Sequence, residues 1–303
     1  MKVTPPPTPA DRALVSMQRV EEIILSAFYT GVLKNTVPLS LILVGPPGTG
    51  KSKVLLQFEA HTVHNTTDLT TSGLIEILQR DHANAIRHIV IPDFNIVVSH
   101  KTATSDLTIA TLLGIMSEGT ARIDDGRSQK EVKHAPLGII TAMTRDVYQD
   151  HAKKFLKLGI GRRFNPLFFT YSFKTRDEIQ TKIQAGEVTL QQLRKRIVDL
   201  PKPERWPIEV KITEKQSSRL RDYSLEMVAN LSFIPKWQRE PDSSWVIKPV
   251  QGERPIEFTP HMVLRTLAQG RALSQRRTFV HDDDVDFVRD YVPFCNYAVP
   301  VHL

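Results

Sequence analysis

The residues that could most clearly do chemistry are a run of eight, Gly-Pro-Pro-Gly-Thr-Gly-Lys-Ser, at positions 45–52. This order fits the pattern G-x-x-x-x-G-K-[ST] of loops that bind nucleotide phosphates. Its glycines let successive N–H groups point at phosphate oxygens, while the lysine reaches the β and γ phosphates and the serine hydroxyl can bind Mg²⁺. The pattern predicts that ATP and Mg²⁺ are held by Gly45, Pro46, Pro47, Gly48, Thr49, Gly50, Lys51 and Ser52.

Apolar runs on both sides of this loop predict the elements that hold it. Residues 39–44 suit a buried parallel strand, and residues 53–58 can open a helix whose N-terminus faces the phosphates. Strands that alternate with helices form a parallel sheet covered on both faces, so the fold class is α/β with a P-loop NTPase core. Further elements are predicted as strands at 88–93 and 137–142, helices at 11–28 and 107–116, and a hairpin at 119–133.

The pattern changes after about residue 170, where helical segments separated by polar and Pro-rich stretches replace the alternation. We therefore divide the chain into a flexible lead-in at 1–11, an α/β core at 12–170 and a helical domain at 171–303. This helical domain has an irregular insertion around 236–257, which contains Trp237 and Trp245. Its helices are predicted at 176–185, 190–198 and 217–231, with two more beginning at Thr259-Pro260 and at Asp282-Asp283-Asp284.

Composition limits the classes of function without selecting one. The chain of 303 residues has a formal net charge of +7, which makes nucleic acid one candidate partner, although solvated Lys and Arg account for such an excess equally well. Cys295 is the only cysteine, so no intrachain disulfide is expected and a reducing, cytoplasmic setting is favoured. No apolar run approaches the length needed to span a bilayer, so no membrane contact is expected.

Four further motifs follow the loop in a defined order. They are Leu-Leu-Gly-Ile-Met-Ser-Glu-Gly at 112–119, Ile-Ile-Thr-Ala-Met-Thr at 139–144, Gly-Arg-Arg-Phe at 161–164 and Thr-Pro-His-Met at 259–262. Together with the loop, this ordered set resembles the AAA+ ATPases, in the branch of the MoxR-like ATPases and the MCM helicases. The resemblance covers about residues 12–290 and identifies the C-terminal helices with a helical lid domain.

The resemblance also implies roles for single residues. Thr144 corresponds to the sensor 1 residue, and Arg163 to an arginine finger that reaches the nucleotide of the next subunit, with Arg162 as the competing candidate. The lid arginine that contacts the γ phosphate in this family falls at His261. A neutral histidine donates a hydrogen bond without a fixed charge, so His261 either keeps part of that role or only caps its helix. Arg265, one turn on, could share the role.

The same resemblance implies an assembly and a class of partner. Family members work as rings, often hexameric, so we expect a homo-oligomer that remodels a protein or a protein–nucleic-acid complex. In MCM-like rings the hairpin that corresponds to 119–134 faces the central channel. Nucleic acid is therefore a candidate ligand of this hairpin, and a solvated turn is the alternative.

The second strand departs from the family pattern. Family members end it with Asp-Glu, where Asp holds Mg²⁺ through water and Glu activates the attacking water, but this chain has Pro92-Asp93-Phe94-Asn95. In one register Asp93 is the metal ligand and Phe94 replaces the glutamate; in the other Asp93 stands at the glutamate position. A positioned general base typically raises the reaction rate by about 10²–10⁴-fold, so we expect slow hydrolysis. In the first register, glutamate at position 94 should make hydrolysis faster. The alternative function is a regulatory or DNA-associated ring whose assembly is set by ATP occupancy.

Overall fold

The structure, a computed structural model, describes residues 14–81, 84–124, 129–159, 163–185, 195–251 and 258–303. The predicted lead-in at 1–11 lies outside these ranges. The helices are α1 (Gln18–Thr30), α2 (Lys51–Leu56), α3 (Thr71–Arg80), α4 (Phe94–Ser99), α5 (Thr102–Glu118), α6 (Arg145–Leu158), α7 (Phe173–Gln184), α8 (Glu214–Leu231), α9 (Phe258–Ser274) and α10 (Asp282–Tyr291). The strands are β1 (Ser40–Gly45), β2 (Phe58–Glu59), β3 (Val63–Asn65), β4 (His88–Ile91), β5 (Thr120–Asp124), β6 (Gln129–Lys133), β7 (Gly138–Thr144), β8 (Phe164–Thr170), β9 (Arg196–Ile197), β10 (Phe233–Arg239), β11 (Trp245–Gln251) and β12 (Val301–His302).

A six-stranded sheet forms the centre of the molecule, in the order β12-β8-β1-β7-β4-β3. Every neighbouring pair in it is parallel. The α/β class and the parallel sheet are therefore confirmed. Because the strands are parallel, their carboxyl ends meet at one edge, and the phosphate-loop motif leaves the sheet at that edge from β1.

Helices cover both faces of the sheet, as the near-continuous apolar strands predict. Leu41 and Leu43 of β1 point to one face, where they share a buried core with α1 and α8 to α10. Ile42 and Val44 point to the other face and pack with α3, α4 and α5. The two-residue period of a strand thus divides one apolar run between two cores.

The helices after residue 213 belong to the first of these cores. Leu220 of α8, Leu264 of α9 and Val288 of α10 are fully buried in the cluster that also contains the apolar residues of α1, β1 and β8. The chain then returns to the sheet, where β12 pairs with the end of β8. A boundary near residue 170 stays a prediction, and the structure adds that apolar side chains on its two sides pack together.

Three predicted elements differ from the structure. The helix predicted from residues 53–58 ends at Leu56, and Phe58 belongs to strand β2. The helix expected at 190–198 is wrong where it is described, because Arg196–Ile197 forms strand β9 beside β2; residues 190–194 lie outside the described ranges. The helix expected from Asp11 begins only at Gln18. Ser16 precedes it with a φ of 60°, a left-handed conformation that interrupts a helix.

The insertion around 236–257 is also not irregular over its described part. Strands β10 and β11 pair in an antiparallel hairpin from Phe233 to Gln251. Pro235 and Pro249 make this hairpin hard to predict from the sequence, because proline is usually excluded from strands. The two prolines lie directly opposite each other. A two-stranded hairpin tolerates them, since each strand has one edge without a partner.

Candidate nucleotide-binding site

The phosphate-loop motif forms a tight turn between β1 and α2. Gly48 and Gly50 have φ values of 77° and 74°, in the left-handed region that other residues rarely adopt. The Thr49 hydroxyl donates to the Pro46 carbonyl at 2.8 Å, and this hydrogen bond stabilises the turn. Pro47 and Gly48 are exposed at the rim. The backbone is therefore shaped as the motif requires and is open to solvent on its outer side.

The Lys51 ammonium lies inside this turn. Its Nζ donates to the carbonyl oxygens of Gly45 at 2.8 Å and Pro46 at 2.6 Å, and the residue is 7% exposed. Burial lowers the pKa of Lys51 to about 8, and the Asp93 carboxylate partly offsets this. A cation held by two carbonyl oxygens is well placed to exchange these partners for phosphate oxygens.

Four predicted site residues meet at the carboxyl edge of three adjacent strands. Thr144 ends β7 directly beside Gly45, the last residue of β1. The Ser52 hydroxyl donates to the Pro92 carbonyl at 2.8 Å, which joins the loop to the segment after β4. Asp93 follows and acts electrostatically on Lys51. The structure thus brings Lys51, Ser52, Asp93 and Thr144 together.

Ser52 and Asp93 suit the Mg²⁺ that the motif implies. A hydroxyl and a carboxylate are oxygen ligands of the kind Mg²⁺ prefers, and Mg²⁺ is usually held by one or two carboxylates together with substrate phosphates and water. Within the described ranges, no group of three or more His, Cys, Asp or Glu side chains forms a separate metal site. The chain's own contribution would therefore be this pair, with a triphosphate completing the shell.

Phe94 does not lie beside the loop. It is 1% exposed, and its ring packs 5.9 Å from that of Phe164 among the apolar residues of the second core. Asp93 caps α4, accepting the Asn95 backbone N–H at 3.0 Å, and the helix that starts at Phe94 turns its first side chain inward. Asp93 is the only carboxylate of the 92–95 segment. The burial of Phe94 does not fit a general base at position 94, and the hydrolysis rate with glutamate there stays a prediction.

Phe94→Glu is instead expected to destabilise the protein. A carboxylate buried among apolar side chains is costly, and loss of the packed ring adds to this, so the unfolding free energy should fall by about 3–5 kcal/mol. Thermal unfolding followed by circular dichroism measures the loss. Ile96→Glu on the same helix, at a position 38% exposed, is the matched control and should change the midpoint little. Equal stability of Phe94→Glu and wild type would contradict the buried placement.

Arg163 lies at the opposite edge of the sheet. It immediately precedes Phe164, which pairs with Ser40 at the start of β1. The loop follows the other end of this strand, about 17 Å away at 3.3 Å per residue. The Arg163 Nε donates to the Ser117 hydroxyl at the end of α5. Arg163 forms no ion pair with a carboxylate among the described residues, and Arg162 lies outside them. Arg163 therefore cannot serve the loop of its own chain.

His261 is not brought to the loop either. It lies in the first turn of α9, past the capping position, with Nε2 at 3.5 Å from the Ser217 hydroxyl on α8. Its neighbour Met262 lines a cavity of about 350 Å³ with Arg163 and Ser40, at the same edge as Arg163. Arg265 lines an adjoining cavity of about 510 Å³ there. Contact of His261 or Arg265 with a γ phosphate thus stays a prediction. Neither residue is brought to the phosphate loop of its own chain.

The predicted hairpin at 119–133 is present as β5 and β6. Its base is fixed by a buried pair, since the His134 Nε2 lies 2.9 Å from the Asp81 carboxylate and its Nδ1 lies 2.7 Å from the Ala135 carbonyl. The tip residues 125–128 lie outside the described ranges. So do the side chains of Arg122 and Lys130. Contact of this hairpin with nucleic acid stays a prediction.

Sequence reasoning missed two residues that support the loop. The Tyr171 hydroxyl donates to the Thr49 carbonyl at 2.9 Å, and Leu14 packs against Gly50, where an added Cβ would lie 3.2 Å from Leu14 Cδ2. Burial raises the pKa of Tyr171 to about 12, so the hydroxyl remains a donor at neutral pH. Neither residue belongs to a motif. Only the position of Tyr171 directly after β8 could have drawn attention to it.

Comparison with known proteins adds no relative. No model of a known protein family matches the chain, and no curated protein is similar to it. The resemblance to AAA+ ATPases therefore rests on the sequence motifs. Within the described part of the chain, none of the helices has the length and apolar character needed to cross a membrane.

Proposed function

We propose that this protein is an AAA+ ATPase that binds ATP-Mg²⁺ and hydrolyses it slowly. The observation that supports this most strongly is the meeting of Lys51, Ser52, Asp93 and Thr144 at one edge of a parallel sheet, around a turn that the motif predicts. Open α/β sheets bind ligands at the carboxyl ends of their strands. Slow turnover follows because Phe94 is buried and Asp93 is the single carboxylate of its segment.

The chain's own residues divide the work at this site. The loop N–H groups and Lys51 bind and orient the triphosphate, Ser52 and Asp93 hold Mg²⁺, and Thr144 donates a hydrogen bond toward the reacting end. Mg²⁺, when bound, neutralises charge on the β and γ phosphates. The charge that develops on the γ phosphate calls for a further cation, and Arg163 of the same subunit lies at the other edge of the sheet. The opposite edge of a second copy offers one.

We therefore propose a ring, hexameric by analogy with AAA+ ATPases, in which Arg163 of one copy completes the site of the next. Arg163 lacks a carboxylate partner among the described residues and lies at the edge away from its own loop. Both properties suit a residue that acts on a neighbour. Such a ring would remodel a protein or protein–nucleic-acid complex in the cytoplasm. The buried Cys295 is compatible with this setting, since burial raises the pKa of its thiol to about 12.

A second candidate function is a ring that uses ATP occupancy, and not turnover, to control assembly. The burial of Phe94 favours it, because no glutamate-like base can act from that position. Measuring phosphate release and ring size together separates the two. An ATPase ring turns over nucleotide at a rate that depends on Arg163. An occupancy-controlled ring assembles with a non-hydrolysable ATP analogue and releases no phosphate.

Nucleotide binding is also expected to take up protons near pH 8. With a pKa of about 8, Lys51 is about half neutral there in the free loop, and nearby phosphate charge should raise its pKa. Binding should then take up about half a proton per site at pH 8. Above pH 8, the affinity should fall by up to about tenfold for each pH unit. Calorimetry in buffers of different ionisation enthalpy measures this uptake, and pH 7 is the internal control, where uptake by Lys51 should be small. Buffer-independent heats at pH 8 would contradict a neutral Lys51.

A further inference from the structure

The hairpin formed by β10 and β11 carries two exposed tryptophans. Trp237 is 52% exposed and Trp245 is 62% exposed, values that are unusual for the largest aromatic side chain. Neither indole stacks on another described ring or on a described cation. The third tryptophan, Trp206, is different, because its ring stacks with that of His61 and also contacts the Arg87 guanidinium. The hairpin thus leaves two large aromatic faces without a partner in the described chain.

The register of the hairpin places both indoles on the same face. Trp237 lies opposite Ile247, and Arg239 lies opposite Trp245. Residues directly opposite each other, and residues two apart on one strand, share a face of an antiparallel pair. Trp237 and Trp245 are therefore diagonal neighbours, about 7–8 Å apart at the backbone, and Arg239 is a neighbour of both. We call Trp237, Arg239 and Trp245 the tryptophan face.

Arg239 is the one cation of the hairpin that lies on this face, because Lys236 and Lys248 alternate to the other face. Arg239 forms no ion pair with any described carboxylate. Of the acids near the turn, Glu240 pairs with Lys248, and Asp242 accepts the backbone N–H and the hydroxyl of Ser244. The tryptophan face therefore combines two open aromatic side chains with one cation that has no acidic partner among the described residues.

The make-up of the face suits single-stranded nucleic acid, because each base stacks on one aromatic side chain and each phosphate needs one cation. Trp237, Trp245 and Arg239 are neighbours on one face and can supply both kinds of contact. This combination favours a nucleic-acid ligand.

We propose that the tryptophan face binds single-stranded nucleic acid, with bases stacked on Trp237 and Trp245 and a phosphate held by Arg239. Stacking of this kind is tolerant of sequence, because every base has an aromatic face. The bases of a duplex are already stacked on one another, so they are not free to stack on the indole rings. The site is separate from the phosphate loop, so it does not depend on the proposed ATPase activity.

Fluorescence anisotropy of a labelled thymidine oligomer of about 20 nucleotides tests the proposal with the full chain. Trp237→Ala and Trp245→Ala should each weaken binding by roughly 5- to 150-fold, and Trp237→Phe should retain part of the affinity. Arg239→Gln should lower the slope of log affinity against log salt by about 0.7. Phe173→Ala is the matched control, since Phe173 is 88% exposed on α7 and lies outside the face.

The outcomes are distinguishable from failure of the proposed ATPase function. Lys51→Ala should bind the oligomer without nucleotide as wild type does, and both tryptophan variants should bind an ATP analogue normally. The proposal is overturned if wild type does not bind the oligomer, if both tryptophan variants bind it unchanged, or if Phe173→Ala weakens binding equally. It is also overturned if the tryptophan variants alter only the oligomeric state, which would make the face an interface between copies of the chain.

Discussion

Replacing Lys51 with alanine is expected to abolish detectable binding of ATP. Lys51 is the one cation whose ammonium lies inside the loop in the described structure, 2.6–2.8 Å from the carbonyls of Gly45 and Pro46. Charge-assisted contacts to phosphate are about twice as strong as neutral hydrogen bonds. Loss of two of them in a buried site should weaken binding by at least about 100-fold, at 1.4 kcal/mol for each factor of ten. Isothermal titration with a non-hydrolysable ATP analogue measures the change.

Lys53→Ala provides the matched control for this experiment. Lys53 lies two residues further along α2 and is only half-buried, and no hydrogen bond or ion pair of its side chain is present among the described residues. Its removal should leave the affinity within about twofold, because surface charges at this range contribute little. Circular dichroism should show that both variants are folded. Unchanged affinity in a folded Lys51→Ala protein would rule out the loop as a phosphate site.

Local sequence was sufficient to predict the loop and the strands that carry it. The loop depends on glycines at fixed positions, and its turn forms wherever a strand and a helix flank it. The strands β1, β4 and β7 are continuous apolar runs because both of their faces are buried, a pattern that is visible in the sequence. Asp93, Thr144 and Ser52 could be placed at one edge because carboxyl ends of parallel strands coincide there.

The elements that the sequence did not reveal depend on distant contacts. Strand β12 has two residues and exists because β8 offers a free edge to it. Strand β9 pairs in the same way with β2. The inward direction of Phe94 is set by the start of α4 and by the position of Phe164, which follows it by 70 residues in the sequence. None of these leaves a periodic signal, so tertiary context decided them.

Contacts made by the C-terminal helices were the least predictable part of the site. The motif at 259–262 places His261 by analogy, but the position of α9 depends on how α1, α8 and α10 pack around it. That packing puts the beginning of α9 at the edge of the sheet where Arg163 lies. Sequence motifs therefore identified residues at both edges of the sheet, and only the structure separated them into two groups.

This separation leads to the second large effect that we expect. Arg163→Ala should leave the affinity for ATP largely intact and reduce hydrolysis by about a hundredfold or more, because an arginine finger stabilises charge on the γ phosphate in the transition state. A residue about 17 Å from its own loop can do this only for another copy. Phosphate release under saturating ATP measures the loss, and Arg162→Ala made in parallel tests the competing residue.

Mixing two inactive chains tests directly whether Arg163 acts between subunits. Arg163→Ala keeps the loop and lacks the finger, whereas Lys51→Ala lacks the loop function and keeps the finger. If the chains assemble at random in equal amounts, about a quarter of the interfaces join an intact loop to an intact finger, so about a quarter of wild-type activity should return. The control mixture combines Arg163→Ala with the double variant Lys51→Ala/Arg163→Ala, which contains no finger and should recover nothing. If mixed rings form and the first mixture is no more active than the control, Arg163 does not complete a neighbour's site.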